Sequence, residues 1–310
     1  MVPSSSPIFV TEAWPHEREA LFGFLFRDLA PDERADRVRQ VLERIERGEL
    51  DPPTLIFACS SVGEVLGVIV CQALAGGSGV VQSPHTSPWP ERVRVEDALV
   101  GAALDHLRQA GSKLVQAFVG MEELPRAAAL ERHGVRHVTR VWYLQCDLAS
   151  ARRPESYPTP SPVRCTPYRA CDPALFQQTL MRTYEGTRDV PELNGTRSSA
   201  EVLTGLAAGA PDPSRWWLAE VGSQPVGLLI LADGGNPGVW EISYMGVVPE
   251  ARRRGVGRAL LGHARRWAEA AGARSLTLIA DARNEPALEL YRSEGFQIYD
   301  GREVFLLTTL

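Results

Sequence analysis

The sequence predicts a chain of α/β (α+β) class with two tandem domains, each a mixed, mostly antiparallel sheet flanked by helices. Three observations carry this reading. First, 310 residues is the length of about two domains of ~150 residues. Second, residues 149–162 are rich in Pro and Ser and split the chain into near-equal halves. Proline fixes φ and removes a donor, so neither a helix nor a central strand continues through such a stretch. Third, the halves repeat. A shift of 161 residues carries Pro88 to Pro249, Ala98–Gly111 to Ala259–Gly272, Val115–Val119 to Leu276–Ala280, and Gly134 to Gly295. One offset held from residue 88 to residue 134 reads as an internal duplication. The expected boundaries are a first domain at 1–150, a linker at 151–162 and a second domain at 163–310.

The second half supports each element in turn. The apolar runs 216–221 and 226–231 flank the turn Gly222-Ser-Gln-Pro225 and read as two strands. A third strand, 239–248, stops at Pro249, which has no N–H for a ladder. A helix over 257–270 ends at Gly272, a residue suited to the left-handed turn after a helix. Residues 275–280 alternate as a strand, 284–293 form a helix closed by Gly295, and Phe296 with 304–308 supply the last strands. Antiparallel strands followed by strand-helix-strand-helix-strand give a mixed sheet with helices packed on it.

Composition excludes several functions. Net charge is −5, whereas a nucleic-acid partner requires a basic face. No run of ~18 apolar residues is present to span a membrane. The N-terminus lacks a basic region followed by an apolar run, so no secretory signal is read. The five cysteines are odd in number and form no CxxC, which signals neither a disulfide framework nor a zinc site. A cytoplasmic protein without a metal is expected.

The sharpest chemistry lies at 248–261. Arg252, Arg253 and Arg254 precede Gly255, Val256, Gly257 and Arg258, and the segment joins a strand directly to a helix. Glycine lets the backbone turn tightly with its amides outward, and the positive end of the helix dipole faces the same point. That combination suits a diphosphate. It is neither a Walker loop, since no Gly-Lys-Ser/Thr follows, nor a dinucleotide fingerprint, since Leu260 stands in place of the third glycine.

This loop resembles the pyrophosphate-binding segment of the GNAT superfamily of acyl-CoA N-acyltransferases, Arg/Gln-x-x-Gly-x-Gly/Ala, here Arg252, Gly255 and Gly257. Met245-Gly-Val-Val-Pro249 resembles the family's preceding strand, and Asn284 to Phe296 resembles its Asn-x-x-Ala-x-x-x-Tyr…Gly-Phe helix. The resemblance implies acetyl-CoA, or another acyl-CoA, as co-substrate. It implies that the amides of 253–258 hold the pyrophosphate, that Met245 and Val247 pair with the pantetheine arm and polarise the acyl carbonyl, and that Asn284 bonds the same arm. It implies that Tyr291 protonates the departing thiolate. Glu241, fourteen residues before Gly255, stands at the spacing of the basic Glu in one branch of the family and is the candidate base. An ammonium must lose a proton before it attacks a thioester.

The first half departs from this pattern. At the same shift, Gly255 corresponds to Arg94, Gly257 to Glu96, Arg252 to Glu91 and Tyr291 to Leu130. Side chains at both glycine positions, one of them a carboxylate, oppose a diphosphate. The first half is therefore expected to be a degenerate copy without a cofactor site. On the acceptor side, residues 184–197 hold Glu185, Asp189, Glu192 and Asn194, acids and an amide suited to a cationic amine. The expected function is N-acetyl transfer from acetyl-CoA to a primary amine, on a small molecule or a peptide. A non-catalytic acyl-CoA-binding protein of the same fold is the alternative. Small amine, aminoglycoside-like antibiotic, peptide N-terminus and protein lysine all stay open as acceptors.

Overall fold

The computed structural model describes residues 7–88, 90–149 and 162–308. Residues 151–161 of the expected linker lie outside the described residues. The chain divides into two compact units, Met1–His137 with Glu303–Leu310, and Val138–Arg302. The division thus departs from the two sides of the linker. The strand before it, 138–147, belongs to the second unit, and the chain's last strand ends in the first.

The first unit contains β1 (Phe9–Glu12), helices α1 (Arg18–Leu25) and α2 (Pro31–Glu46), and strands β2 (Thr54–Cys59), β3 (Val65–Leu74), β4 (Ser78–Val81) and β5 (His85–Thr86). Helix α3 (Arg92–Gln109), β6 (Leu114–Val119) and α4 (Leu124–Arg132) follow, then the start of β7 (Arg136–Asp147). Strands β1 to β4 pair antiparallel in sequence order and β4 pairs parallel with β6. On one face α3 packs Leu99, Ala103 and Leu107 against Ile56, Ile69 and Val115. On the other, Leu21, Phe22 and Val38 of α1 and α2 cover Leu55, Val68 and Val70.

The second unit contains the rest of β7, β8 (Val163–Pro167), α5 (Pro173–Tyr184), α6 (Ser199–Gly209), β9 (Trp216–Val221), β10 (Gln224–Asp233) and β11 (Val239–Val247). Helix α7 (Val256–Ala270), β12 (Ser275–Asp281), α8 (Glu285–Ser293) and the first part of β13 (Gln297–Leu307) complete it. Within this unit the strand order is β7-β12-β11-β10-β9-β8, with only β11 and β12 parallel. The uninterrupted apolar runs of β9 and β10 have a simple cause. Successive side chains point to opposite faces, and both faces are covered. Trp216, Leu218, Leu228 and Ile230 meet Phe176 and Leu180 of α5. Trp217, Leu229 and Leu231 meet Leu260, Leu261 and Ala264 of α7.

The repeat survives in the hydrogen-bond register. Ser78, Gly79 and Val80 face Leu114, Val115 and Gln116, while Val239, Trp240 and Glu241 face Ser275, Leu276 and Thr277, each residue displaced by 161. The antiparallel neighbours repeat too. Gln116 faces Leu306 and Thr277 faces Gln145. The last strand of each half therefore lies in the unit of the other half, in the register of the repeat.

Candidate functional site

Parallel pairing of β11 with β12 stops at Glu241 and Thr277, although β11 continues to Val247 and β12 to Asp281. A bulge explains the parting. Ile230 faces Tyr244 but Leu231 faces Ile242, so Ser243 is an extra residue in β11. Such an insertion bends the strand that carries it. Beyond it, β11 pairs with no strand on its β12 side among the described residues, and an open strand edge of N–H and C=O groups accepts an extended ligand. Met245 and Val247 lie on this stretch.

The loop after β11 supplies donors. Arg253 (φ 61°) and Gly255 (φ 82°) are both left-handed, the conformation that favours glycine at the second position. Helix α7 begins at Val256 with no side-chain cap, and its first helical hydrogen bond runs from Ala259 N–H to Gly255 O, at 3.0 Å. The amides of Val256 and Gly257 stand in the first turn of the helix, where no preceding helical carbonyl faces them, with the dipole behind them. Arg253 and Arg254 are exposed.

Arg252 is engaged elsewhere. Its guanidinium donates to the carbonyls of Val247 (3.1 Å), Gly186 (3.0 Å), Thr183 (3.1 Å) and Glu185 (2.6 Å), so it braces the loop against the end of α5. Arg258 pairs with the buried Glu294 at 2.6 Å. Gly257 is an ordinary helical residue whose Cβ would stand 3.0 Å from Leu290 Cδ2, so it serves the approach of α7 to α8.

The turn from β12 into α8 places Asn284 and Tyr291. Asn284 precedes α8 as its cap residue, half-buried, and its carboxamide makes no hydrogen bond among the described residues. Tyr291 is 8% exposed, packed on Phe296 with ring centroids 5.9 Å apart. Burial, with the nearby Asp189 charge, pushes its phenol pKa up. It therefore stays protonated and able to donate. Beneath the turn, Asp281 is wholly buried and accepts from Thr139 Oγ1 (2.7 Å), Val190 N–H (2.9 Å) and Arg283. Burial alone would raise its pKa, but these bonds outweigh burial and hold it below the ordinary value.

Glu241 occupies a small cleft of about 230 Å³, whose wall includes Tyr143, Gln145, Asn236, Thr277, Ile279 and Tyr299. The register builds it. Glu241 faces Thr277, Thr277 faces Gln145, and Ile279 faces Tyr143, so these side chains share one face of the sheet. Trp240, Leu276 and Leu144 point to the opposite face, into the core under α7. The Glu241 carboxylate has no hydrogen bond or ion pair among the described residues, and partial burial raises its pKa. A half-buried, unpaired carboxylate of raised pKa is a proton acceptor poised nearer neutrality.

The acceptor residues expected in the acidic loop, Glu185, Asp189 and Asn194, are not among those lining this cleft, and the loop meets β12 at Asp281, two residues beyond Ile279. The Asp189 carboxylate accepts from Asp281 N–H at 2.8 Å, Asn194 donates to Tyr184 O at 3.3 Å, and the Glu185 carbonyl holds Arg252. Glu192 takes a two-pronged pair from Arg283, at 2.7 and 2.9 Å. These groups fasten residues 184–197 to the β12–α8 turn. Sequence reasoning missed Tyr143, Gln145, Thr277 and Tyr299. The only signal for the first two is the repeat itself, which equates the strand 138–147 with the end of β13.

Comparison with known proteins follows the same lines. Residues 179–296 match the acetyltransferase (GNAT) family model. A mycothiol acetyltransferase of Pseudarthrobacter chlorophenolicus is 26% identical over 242 residues, 74% of this chain and 73% of that protein. A second, from an Arthrobacter species, is 39% identical over 67 residues, which cover 22% of this chain and only 21% of its own length. A GCN5-related N-acetyltransferase structure from Sphaerobacter thermophilus superposes with TM-score 0.60 at 18% identity, covering 99% of this chain and 100% of that one. A tandem GNAT protein from the clavulanic acid biosynthesis pathway gives TM-score 0.52 at 15% identity, covering 97% and 98%. These two structures establish a shared fold.

Proposed function

We propose that the chain is an acetyltransferase of the GNAT family, whose model residues 179–296 match, and that with acetyl-CoA as co-substrate its second unit transfers acetyl to a primary amine bound beside Glu241. The observation that carries this is the parting of β11 from β12 immediately beyond an unpaired carboxylate, with a donor-rich helix start at the end of the same strand. Acetyl-CoA supplies an activated thioester. The amides of 253–258 hold its diphosphate, the open edge of β11 and the Asn284 carboxamide hold its pantetheine arm, and α7 directs its dipole at the anion. Arg252 braces the loop and Arg258 anchors it to α8, so their side chains act on the loop's shape.

Glu241 takes the proton from the acceptor ammonium. The free amine then attacks the acyl carbonyl, and the amides of Met245 and Val247 stabilise the charge developing on its oxygen. The C–S bond breaks as the Tyr291 hydroxyl gives its proton to the departing sulfur, and the second proton on the attacking nitrogen passes to the Tyr291 phenolate, leaving the neutral amide, free CoA thiol and a restored phenol. The acceptor is a small-molecule or peptide amine. The amine acceptor of the relatives named mycothiol acetyltransferase belongs in the first panel. No helix is long and apolar enough to cross a membrane among the described residues, and a cytoplasmic place of action goes with this reading. The test is release of CoA thiol across an amine panel, with the N-acetyl product identified by mass. Tight acetyl-CoA binding with no product from any amine would favour the non-catalytic alternative.

A further inference from the structure

The acceptor cleft has a composition that narrows its substrate. Among the described residues lining it, Glu241 alone carries charge at neutral pH. Two phenols, Tyr143 and Tyr299, meet edge to face with centroids 6.1 Å apart. Tyr299 is 57% exposed and Ile279 43%, large apolar surface left open at the cleft. Both rings stand close enough to Glu241 to feel its charge. The neighbouring carboxylate on β13, Asp300, is already paired with Arg302 at 2.9 Å. One anion at one side and an aromatic corner at the other, over a floor of Thr277 and Ile279, match a ligand with a single cationic end and a ring or hydrocarbon face. Strands lie ~4.8 Å apart, so the two sides are about 10 Å apart across β12.

We infer that Tyr143 and Tyr299 are specificity-determining residues that clamp the body of a small ring-bearing monoamine while its ammonium meets Glu241. This rests on the acyl-transfer reading of the same cleft. Polyamines and polycationic sugars are poor acceptors here, because no second carboxylate lines the cleft among the described residues, and a phenol face gives a further ammonium less than an ion pair would. A bare alkylamine reaches Glu241 without using the rings.

The test compares benzylamine, n-propylamine and spermidine, by calorimetric titration of the full chain with CoA present and by acetylation rate. Benzylamine is expected to bind tightest. Tyr299→Ala, at an exposed position, should weaken benzylamine binding about 3- to 10-fold, the worth of one aromatic contact. It should leave n-propylamine and acetyl-CoA unchanged. Tyr299→Phe should restore benzylamine, and Tyr143→Leu should reproduce the loss as a rise in KM with little change in kcat. Spermidine binding tightest, or Tyr299→Ala acting equally on benzylamine and n-propylamine, would overturn the clamp. Benzylamine bound through both rings yet never acetylated would instead sink acyl transfer and leave the clamp standing.

Discussion

The two copies of the strand-loop-helix segment share a frame and differ in what fills it. In the first, Gly77 O accepts the amides of Lys113 (2.8 Å) and Leu114 (3.3 Å); in the second, Gly238 O accepts those of Arg274 (2.7 Å) and Ser275 (3.2 Å). After this common start the loops diverge. The second turns through left-handed Gly255 into α7 and leaves its first amides open. The first enters α3 through Glu91 with ordinary backbone, and Glu96 is 4% exposed, held by Arg92 at 2.6 Å and Arg132 at 3.1 Å. The helix-to-helix contact also differs in sign, with the acid on the first helix in one copy and on the second in the other. Arg258 pairs with Glu294 in one copy, whereas at the matched positions of the other Asp97 stands 3.5 Å from His133 and pairs with Arg132 at 2.7 Å. The comparison teaches that the two copies keep one register while their strand-to-helix loops differ, because backbone pairing and core packing set the register and the loop conformation turns on a few positions such as Gly255.

Each position where the copies differ is a place to test this. The largest effect is expected at Glu241, whose counterpart is Val80. Glu241→Gln should lower turnover about 10²- to 10⁴-fold, the usual worth of a general base. The defect should shrink as pH approaches the amine's own pKa, where free amine needs no base. Because burial raises the Glu241 pKa, wild-type activity should fall on the acid side at a pH above the ordinary carboxylate range. A pH–rate profile identical in both enzymes would remove Glu241 from the chemistry.

Gly257→Glu imports the first copy's residue. Its charge repels the diphosphate and its Cβ meets Leu290 at 3.0 Å, so acetyl-CoA affinity should drop about 100-fold through lost approach and like-charge repulsion. Circular dichroism should still report a folded chain, since a leucine side-chain end can yield. Unchanged affinity in that folded variant would take the loop out of the site.

At Tyr291, matched by Leu130, the phenylalanine variant should reduce kcat about 10- to 100-fold, below the usual general-acid range because a thiolate leaves readily. Acetyl-CoA affinity should hold. An equal loss in affinity would assign Tyr291 to packing.

Asp281, matched by Gly120, concerns stability. Its pKa is depressed in the fold, so its contribution is full above the unfolded carboxylate pKa and is lost as pH falls through the folded value. Asp281→Asn should cost about 3 kcal/mol at neutral pH, as for a broken buried pair. The gap between variant and wild type in denaturant titrations should close in acid. A gap that persists there would mean shape, rather than charge, is what Asp281 supplies. The smallest effect is expected from Glu96→Gln, which should leave acetyl-CoA stoichiometry at about one per chain, since side chains still fill the first copy's loop. Calorimetry giving two equivalent sites in either protein would end the comparison.

Much of this protein was legible in the sequence because its causes are local. Gly255 is needed where the backbone turns left-handed, Pro249 where a strand must stop, and apolar runs where both sheet faces are covered. The offset of the repeat was readable for the same reason, and the register obeys it from Ser78–Leu114 to Val239–Ser275. Tertiary structure decided the rest. Whether strand 138–147 would pair with β6 or β12 could not be read from its pattern, because the end of β13 has the same alternation and register. The cleft around Glu241 followed from that choice, since Tyr143 meets Ile279 only across β7 and β12, strands more than a hundred residues apart. The acids of 184–197 are expected at an acceptor site from charge, and composition records charge and not partners. Only in the fold do Glu192 and Asp189 meet Arg283 and the Asp281 amide, while the Glu241 carboxylate has no hydrogen bond or ion pair among the described residues.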